Sequence, residues 1–255
     1  MTETAGDPAA GTSTERIRPA ATVMLIRDTW PGIEVFVLRR VAAMAFAPGM
    51  TVFPGGGVDP TDRQGPTRWI GPNDDWWAAQ LQVAPASARE LVVAAVRELF
   101  EETGVLLAGP RGDGATEAPV GGLDEAVRLA MIDHRTTLSA ALAAADLCLR
   151  ADLLRPWANW ITPPGRTKRY DTFFFVAALP AGQQAEMLTT EADLGQWRSP
   201  QELFGERATG TTALMPPTIA MLNDLDGFAC LADVMTAERV VTPVRVRPGD
   251  FPGIG

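Results

Sequence analysis

The chain has 255 residues, 46% of them hydrophobic, enough to bury one substantial core and more in keeping with one elaborated domain than with two. A formal charge of −9 argues against nonspecific nucleic-acid binding, which runs on phosphate neutralisation by Lys and Arg, so an anionic small molecule has to be drawn by local charge or metal. Cys148 and Cys230 make neither a disulfide framework nor a zinc pattern and fit free thiols in a reducing cytoplasm, and no run approaches the roughly 18 apolar residues of a membrane span. Whether the chain pairs as a homodimer is left open by the sequence.

Residues 1–18, rich in Thr, Ala, Gly and Glu, lack the basic-then-apolar order of a signal peptide and read as a disordered tail ahead of a domain spanning 19–255. Ala20 to Asp28 and Ile33 to Arg40 are β-branched runs joined by the turn sequence Thr29-Trp30-Pro31-Gly32, which predicts a hairpin. Met50 to Phe53 is a short third strand that delivers the chain to Pro54, Gly55, Gly56 and Gly57. There the backbone must approach something closely or adopt positive φ. Residues from about 60 to 84 read as an insertion in which Asn73 caps a short helix, with Trp76 and Trp77 expected to pack in the core.

From Pro85 to Thr103 the spacing predicts a helix. At about 100° per residue, Val92, Val93, Val96, Leu99 and Phe100 share one stripe, while Glu98, Glu101 and Glu102 gather opposite it. Gly104 stands at the left-handed capping position. Three carboxylates within five residues repel one another, and an oxygen-only cluster of this kind suits a hard cation such as Mg²⁺ that shares its coordination with substrate phosphates.

Gly109 to Gly122 is loop in composition and Leu123 to Leu154 helical in pattern, together a second insertion at about 109–154. The single histidine, His134, lies inside it and gives little support to histidine or zinc chemistry. Trp157 to Thr162 and Tyr170 to Ala178 return to strand composition. Between them Arg166, Lys168 and Arg169 form the densest positive cluster of an acidic chain, suited to a substrate phosphate. A helix starting at Met215-Pro216-Pro217-Thr218 and running to about Leu225, a short helix after Ala229, a strand at Val240 to Val246 and a loose end complete the chain.

Arg97-Glu98-Leu99-Phe100-Glu101-Glu102-Thr103-Gly104-Val105, with Phe53 to Asp59 upstream, resembles the Nudix box, G-x5-E-x7-R-E-U-x-E-E-x-G-U with U aliphatic. The box is interrupted: Gly56 and Arg97 are 41 positions apart where the pattern has 14, an excess of 27. Its first glutamate falls at Arg89, and the neighbouring Glu90, which shares a narrow arc of the helix with Arg97 and Glu101, stands in for it. The resemblance implies an α/β fold of the Nudix type, a mixed β-sheet sandwiched between α-helices, with helical insertions. It also implies Mg²⁺- or Mn²⁺-dependent hydrolysis of a diphosphate in a small nucleotide-type substrate.

By the same resemblance Glu101 and Glu102 are metal ligands, Glu98 is ligand or base, and Gly55 lends a carbonyl to the metal. Arg97 holds the carboxylates in place, and Glu191, ahead of a Trp-bearing strand, is a further ligand or the base. The segment from Leu38-Arg39-Arg40 to Gly49 resembles the coenzyme A diphosphatase type with an inserted box, which makes Arg39, with Arg166, Lys168 and Arg169, a substrate contact. An ADP-ribose or NADH-type dinucleotide diphosphatase and a non-catalytic nucleotide sensor on the same fold are the alternatives.

Overall fold

A computed structural model of the protein describes residues 17–44, 47–65, 68–111 and 120–245. The hairpin is β1 (Ile17–Thr29) and β2 (Gly32–Arg40). β3 (Met50–Val52) and β4 (Gly55–Gly57) then lead into a 3₁₀ turn at Pro60–Gln64. β5 (Trp69–Ile70), α1 (Asp74–Leu81), the long α2 (Pro85–Thr103), β6 (Ala108–Pro110), α3 (Glu125–Ile132), α4 (Leu138–Ala144) and β7 (Leu147–Arg150) follow. The remainder is β8 (Leu154–Ile161), β9 (Arg169–Ala178), β10 (Ala192–Arg198), α5 (Pro200–Ala208), β11 (Ala213–Leu214), α6 (Pro216–Asp226), α7 (Leu231–Thr236) and β12 (Pro243–Arg245). Among the described residues no helix is long and apolar enough to cross a membrane.

The main sheet is mixed, in the order β11-β3-β2-β1-β9-β8-β12, with β10 added to β2 and β4 to β1. β1 runs antiparallel to β2 and parallel to β9, and its first residues, Ala20 to Thr22, pair with the three glycines of β4. Period-2 alternation gives the sheet two apolar faces. Val23, Leu25, Phe36, Leu38 and Phe175 pack on α2 and α1, whereas Met24, Ile26, Val35, Val37 and Val176 pack on α5, α6 and α7. This is the expected sheet between helical layers.

α2 starts with Pro85 at its first position and ends at Gly104, whose φ of 75° and N–H to the Phe100 carbonyl close the last turn. It is buried almost all round, because Ala94 and Ala95 on its flanks let neighbours approach and the glycine strand covers its acidic side. Trp77 is fully buried with its ring 5.9 Å from that of Phe175, while Trp76 stands edge-on to it and stays 39% exposed, so only one of the two tryptophans is core.

Four sequence expectations change. Ile17 and Arg18 belong to β1, paired with Arg169 and Tyr170 of β9, and not to a tail, while residues 1–16 lie outside those described. Leu147 to Arg150 is strand rather than helix, since Asp146 takes a left-handed φ of 54° that ends the helical run and the alternating Leu147, Cys148 and Leu149 then pair with β5 and β6 in a separate three-stranded sheet. The final strand is confined to Pro243–Arg245, with 246–255 outside the described residues. The glycine-rich loop likewise opens as strand β6, and 112–119 are not among the described residues.

Candidate active site

The site is built around Arg97. Its Nε and Nη2 donate to the two carboxylate oxygens of Asp62, each at 2.9 Å, and Nη2 also donates to the Gly57 carbonyl at 2.9 Å. Nη1 donates to Glu98 at 2.8 Å and to Glu101 at 3.1 Å. These contacts use all five N–H groups of a guanidinium that is 8% exposed. The i,i+4 contact with Glu101 is the one expected from the helix, but the main partner of Arg97 is Asp62.

Asp62 corrects the reading of the interrupted box. It follows Gly56 by six positions, the spacing of the first glutamate in the pattern, so the extra residues enter after that position and not before it. Asp59 caps the 3₁₀ turn by accepting from the Thr61 N–H, and Asp62 reaches back to the Asp59 N–H at 2.7 Å, which fixes the carboxylate that Arg97 needs. Glu90 instead lies 3.5 Å from Arg63 at the surface. The sequence signal was present as Asp59-Pro60-Thr61-Asp62, a capping box that starts directly after the glycines.

The remaining carboxylates lie against the glycine strand. The Gly55 N–H donates to Glu102 at 2.8 Å, so Gly55 meets the cluster through its amide. A Cβ at Gly55 would collide with the Ala21 carbonyl of β1, and one at Gly56 would stand 2.5 Å from Oε1 of Glu98 and so push that carboxylate out of place. Burial pushes Glu98 up to about 7, against the attraction of Arg97. Burial and then the charge of Glu98 push Glu102 up to about 8, against the Gly55 N–H. Glu101 is raised as well, again chiefly by burial.

Glu191 enters the site from the start of β10. It accepts from Arg40 at 3.0 Å, and both charges act on Glu102, Glu191 raising and Arg40 lowering its pKa. Arg40 was not among the expected contacts. Residues 36, 38 and 40 share the face of β2 that looks at α2, and that parity was the signal that could have chosen Arg40 over Arg39. Arg39 falls with Val35 and Val37 on the other face and pairs with Asp193 at 2.7 Å, so the structure does not bring it to the carboxylates. The buried Nε of Arg40 has no hydrogen-bond partner among the described residues, while Nη2 of the same guanidinium holds Glu191 and its charge acts on Glu102.

The basic loop is set apart from this cluster. Arg169 opens β9, level with Ile17, and donates through Nε and Nη2 to the Thr162 carbonyl at 3.1 Å each, which closes the β8–β9 connection. β1 lies between this loop's strand and the glycines, and Lys168 is exposed. His134, at the α3–α4 corner, is exposed too, and its charge is felt by Asp59 and Glu101.

One buried cation from the second insertion supports the site. Arg128 of α3 is 3% exposed, is bound to Glu125 at 2.6 Å, and donates to the Glu101 carbonyl at 2.5 Å and the Leu188 carbonyl at 3.2 Å. It thereby meets an orphan carbonyl in the last turn of α2.

The family model of the NUDT19 Nudix domain matches residues 79–225, more than half of the chain and including the helix that carries Arg97, Glu98, Glu101 and Glu102. The chain belongs to the Nudix family. Putative nudix hydrolase 7 of Caenorhabditis elegans is 31% identical over 215 residues, which span 84% of this chain and 62% of that protein. Acyl-coenzyme A diphosphatase NUDT19 of Homo sapiens is 30% identical over 240 residues, spanning 80% of this chain and 63% of its own. The chain thus spans less than two thirds of the length of these two Nudix relatives. The crystal structure of a NUDIX hydrolase from Alicyclobacillus acidocaldarius superposes with a TM-score of 0.72 at 30% identity, covering 89% of this chain and 99% of that one.

In this Nudix chain the described residues contain no group of three acidic, histidine or cysteine side chains already set around a common point as metal ligands. The reason is local: Glu98 and Glu101 are turned onto Arg97, and Glu102 onto the Gly55 amide. The donor chemistry nonetheless fits a hard dication. Burial above all raises Glu98 and Glu102 to about 7 and about 8, so without a dication they hold on to protons that a bound one would displace, and all of their donors are oxygen.

Proposed function

We propose that this Nudix protein is a metal-dependent diphosphatase that cleaves the diphosphate of a nucleotide joined to another group, with coenzyme A or an acyl-CoA as the substrate favoured. The observation that carries this reading is the buried, mutually repelling Glu98–Glu102 pair under the glycine strand, raised to about 7 and about 8. Glu98, Glu101 and Glu102, with Gly55 beside them, would hold Mg²⁺ or Mn²⁺. Such an ion supplies charge neutralisation at the diphosphate oxygens and lowers the cost of activating water.

The chain's own residues supply the rest. Arg97, anchored by Asp62, keeps Glu98 and Glu101 in place. A carboxylate accepts the proton of the attacking water: Glu98, buried against the glycine strand, or Glu191, which stands beside Arg40 and within electrostatic reach of Glu102. Arg40, with a buried N–H still to satisfy, is placed to receive an anionic oxygen of the substrate.

The coenzyme A preference draws on the human relative, an acyl-coenzyme A diphosphatase, and on the basic loop at residues 166–169, which would read a 3′-phosphate remote from the scissile bond. The test is a panel of CoA, acyl-CoA, ADP-ribose, NADH and nucleoside triphosphates with Mg²⁺ or Mn²⁺, with products separated by mass. Release of a phosphoadenosine product and a phosphopantetheine product from CoA is the expected result. Cleavage confined to ADP-ribose or NADH would replace the substrate, and binding without cleavage anywhere in the panel would replace the enzyme by a sensor.

A further inference from the structure

A cleft of about 210 Å³ opens beside Arg97 and Glu101, between the 3₁₀ turn and the corner joining α3 to α4. We propose that this cleft holds the uncharged, amide-bearing arm of the substrate, the pantetheine segment of a coenzyme A-type molecule, and that the second insertion exists in part to wall it. The proposal rests on the diphosphatase reading above.

Three features select this ligand chemistry. The volume falls below the roughly 300–1,000 Å³ of pockets that enclose a whole drug-sized ligand, so the cleft suits one segment of a longer molecule whose reacting end lies at the carboxylates. Its charge does little for a phosphate: Asp59 and Glu101 line it against the single imidazole of His134, and Arg97 has already committed all five of its N–H groups to Asp62, Gly57, Glu98 and Glu101. Its walls are mixed. Met131, Ile132 and Leu138 offer aliphatic contact, while Thr61, Thr136 and Thr137 bring hydroxyls that both donate and accept. The one ring among its lining residues is the imidazole of His134, and no Phe, Tyr or Trp joins it to sandwich a base. A flexible chain of methylenes broken by secondary amides matches that alternation. Thr61 also donates to Asp59 and Thr137 accepts from the Ala140 N–H, and a purely aliphatic chain would make no use of the hydrogen-bonding capacity these hydroxyls have left.

The corner that supplies these groups is held in shape by the sequence. His134 takes a left-handed φ of 55° to turn the chain out of α3, and Thr137 caps α4 by accepting from the Ala140 N–H at 3.2 Å. Arg128, one turn before the corner, ties α3 to the end of α2, so the wall is referenced to the same helix that carries the carboxylates.

The test titrates pantetheine, which carries no phosphate, into the full chain by ligand-observed NMR, beside the variant Ile132→Trp. Ile132 is 41% exposed, so a larger ring there can fill the cleft without entering the core, and equal melting temperatures check that it does. Pantetheine is expected to bind the unaltered protein and to bind Ile132→Trp about tenfold or more weakly. Should that variant melt lower, Thr136→Val, which removes one hydroxyl at nearly constant volume, takes its place under the same criterion. No pantetheine binding by the unaltered protein, or equal binding by the variant, overturns the proposal. Failure of the parent reading looks different: no diphosphate in the panel is hydrolysed with Mg²⁺ or Mn²⁺ while pantetheine binding and its loss in the variant persist.

Discussion

Replacing Asp62 by Asn tests whether the ion pair with Arg97 organises the site. The carboxylate is 1% exposed and holds the guanidinium through two parallel bonds of 2.9 Å, so the neutral amide loses one charge-assisted bond and turns a donor toward a donor. Losing a hydrogen bond to a charged group costs about 1.5–3 kcal/mol, and removing one partner of a buried pair about 3–5 kcal/mol. Glu98 and Glu101 remain on Arg97, which places the expected loss near the lower of these, about 2–3 kcal/mol. At about 2–4 °C per kcal/mol for a chain of this size, the melting temperature should fall by roughly 4–12 °C. Mg²⁺ affinity should fall as well, because Arg97 then competes harder for Glu98 and Glu101. The matched control is Glu90→Gln, where the partner Arg63 is 72% exposed and the expected change is under about 1 kcal/mol. Thermal melting by circular dichroism and a Mg²⁺ titration read both. If Glu90→Gln costs as much as Asp62→Asn, or if Asp62→Asn is neutral, Asp62 does not hold the place assigned to it.

Glu102→Gln should keep the fold and lower kcat by orders of magnitude at saturating Mg²⁺, and near-normal turnover of CoA would remove it from the metal site. Glu191→Gln should lower kcat with Mg²⁺ affinity close to the unaltered value if Glu191 is the base, whereas unchanged kcat transfers that role to Glu98. Because burial raises Glu98 and Glu102 to about 7 and about 8, the folded metal-free protein keeps protons that the unfolded chain has released. Its stability should therefore fall as pH rises from about 4.5 to about 8, with a shallower slope in saturating Mg²⁺, and a metal-free melting temperature that climbs over that range would contradict the burial argument. Lys168→Ala, preferred to Arg169→Ala because Arg169 closes the β8–β9 connection, should raise KM for CoA about tenfold while leaving that for its 3′-dephospho form nearly unchanged. Equal changes for the two substrates would detach the loop from phosphate recognition.

The hairpin, the box helix and its glycine cap were legible because each depends on local pattern: β-branched alternation, a 3.6-residue stripe and one left-handed position. The sequence also located Glu98, Glu101 and Glu102, since spacing on one helix fixes their common side. It misplaced the first acidic position of the box because helix geometry favoured Glu90, seven positions before Arg97, whereas Asp62 reaches Arg97 only through the pairing of β4 with β1. Arg39 and Arg40 differ only in strand parity, which becomes decisive once the sheet has a face occupied by α2. β7 was hidden because Leu and Ala suit a helix as well as a strand, and its partners β5 and β6 come from separate segments of the chain.

The Arg128 contacts bear on how the protein moves. Its guanidinium joins α3 to the Glu101 carbonyl and to Leu188, while the Leu188 and Glu186 amides bond the carbonyls of Glu102 and Thr103. The last turn of α2, the strap leading to Glu191 and the helix that walls the cleft are therefore cross-linked through one side chain and fluctuate as one cooperative unit. On the proposals above, a cation held by the carboxylates would steady the wall through this link, and an arm held in the cleft would steady the carboxylates, so each would favour the state that the other prefers.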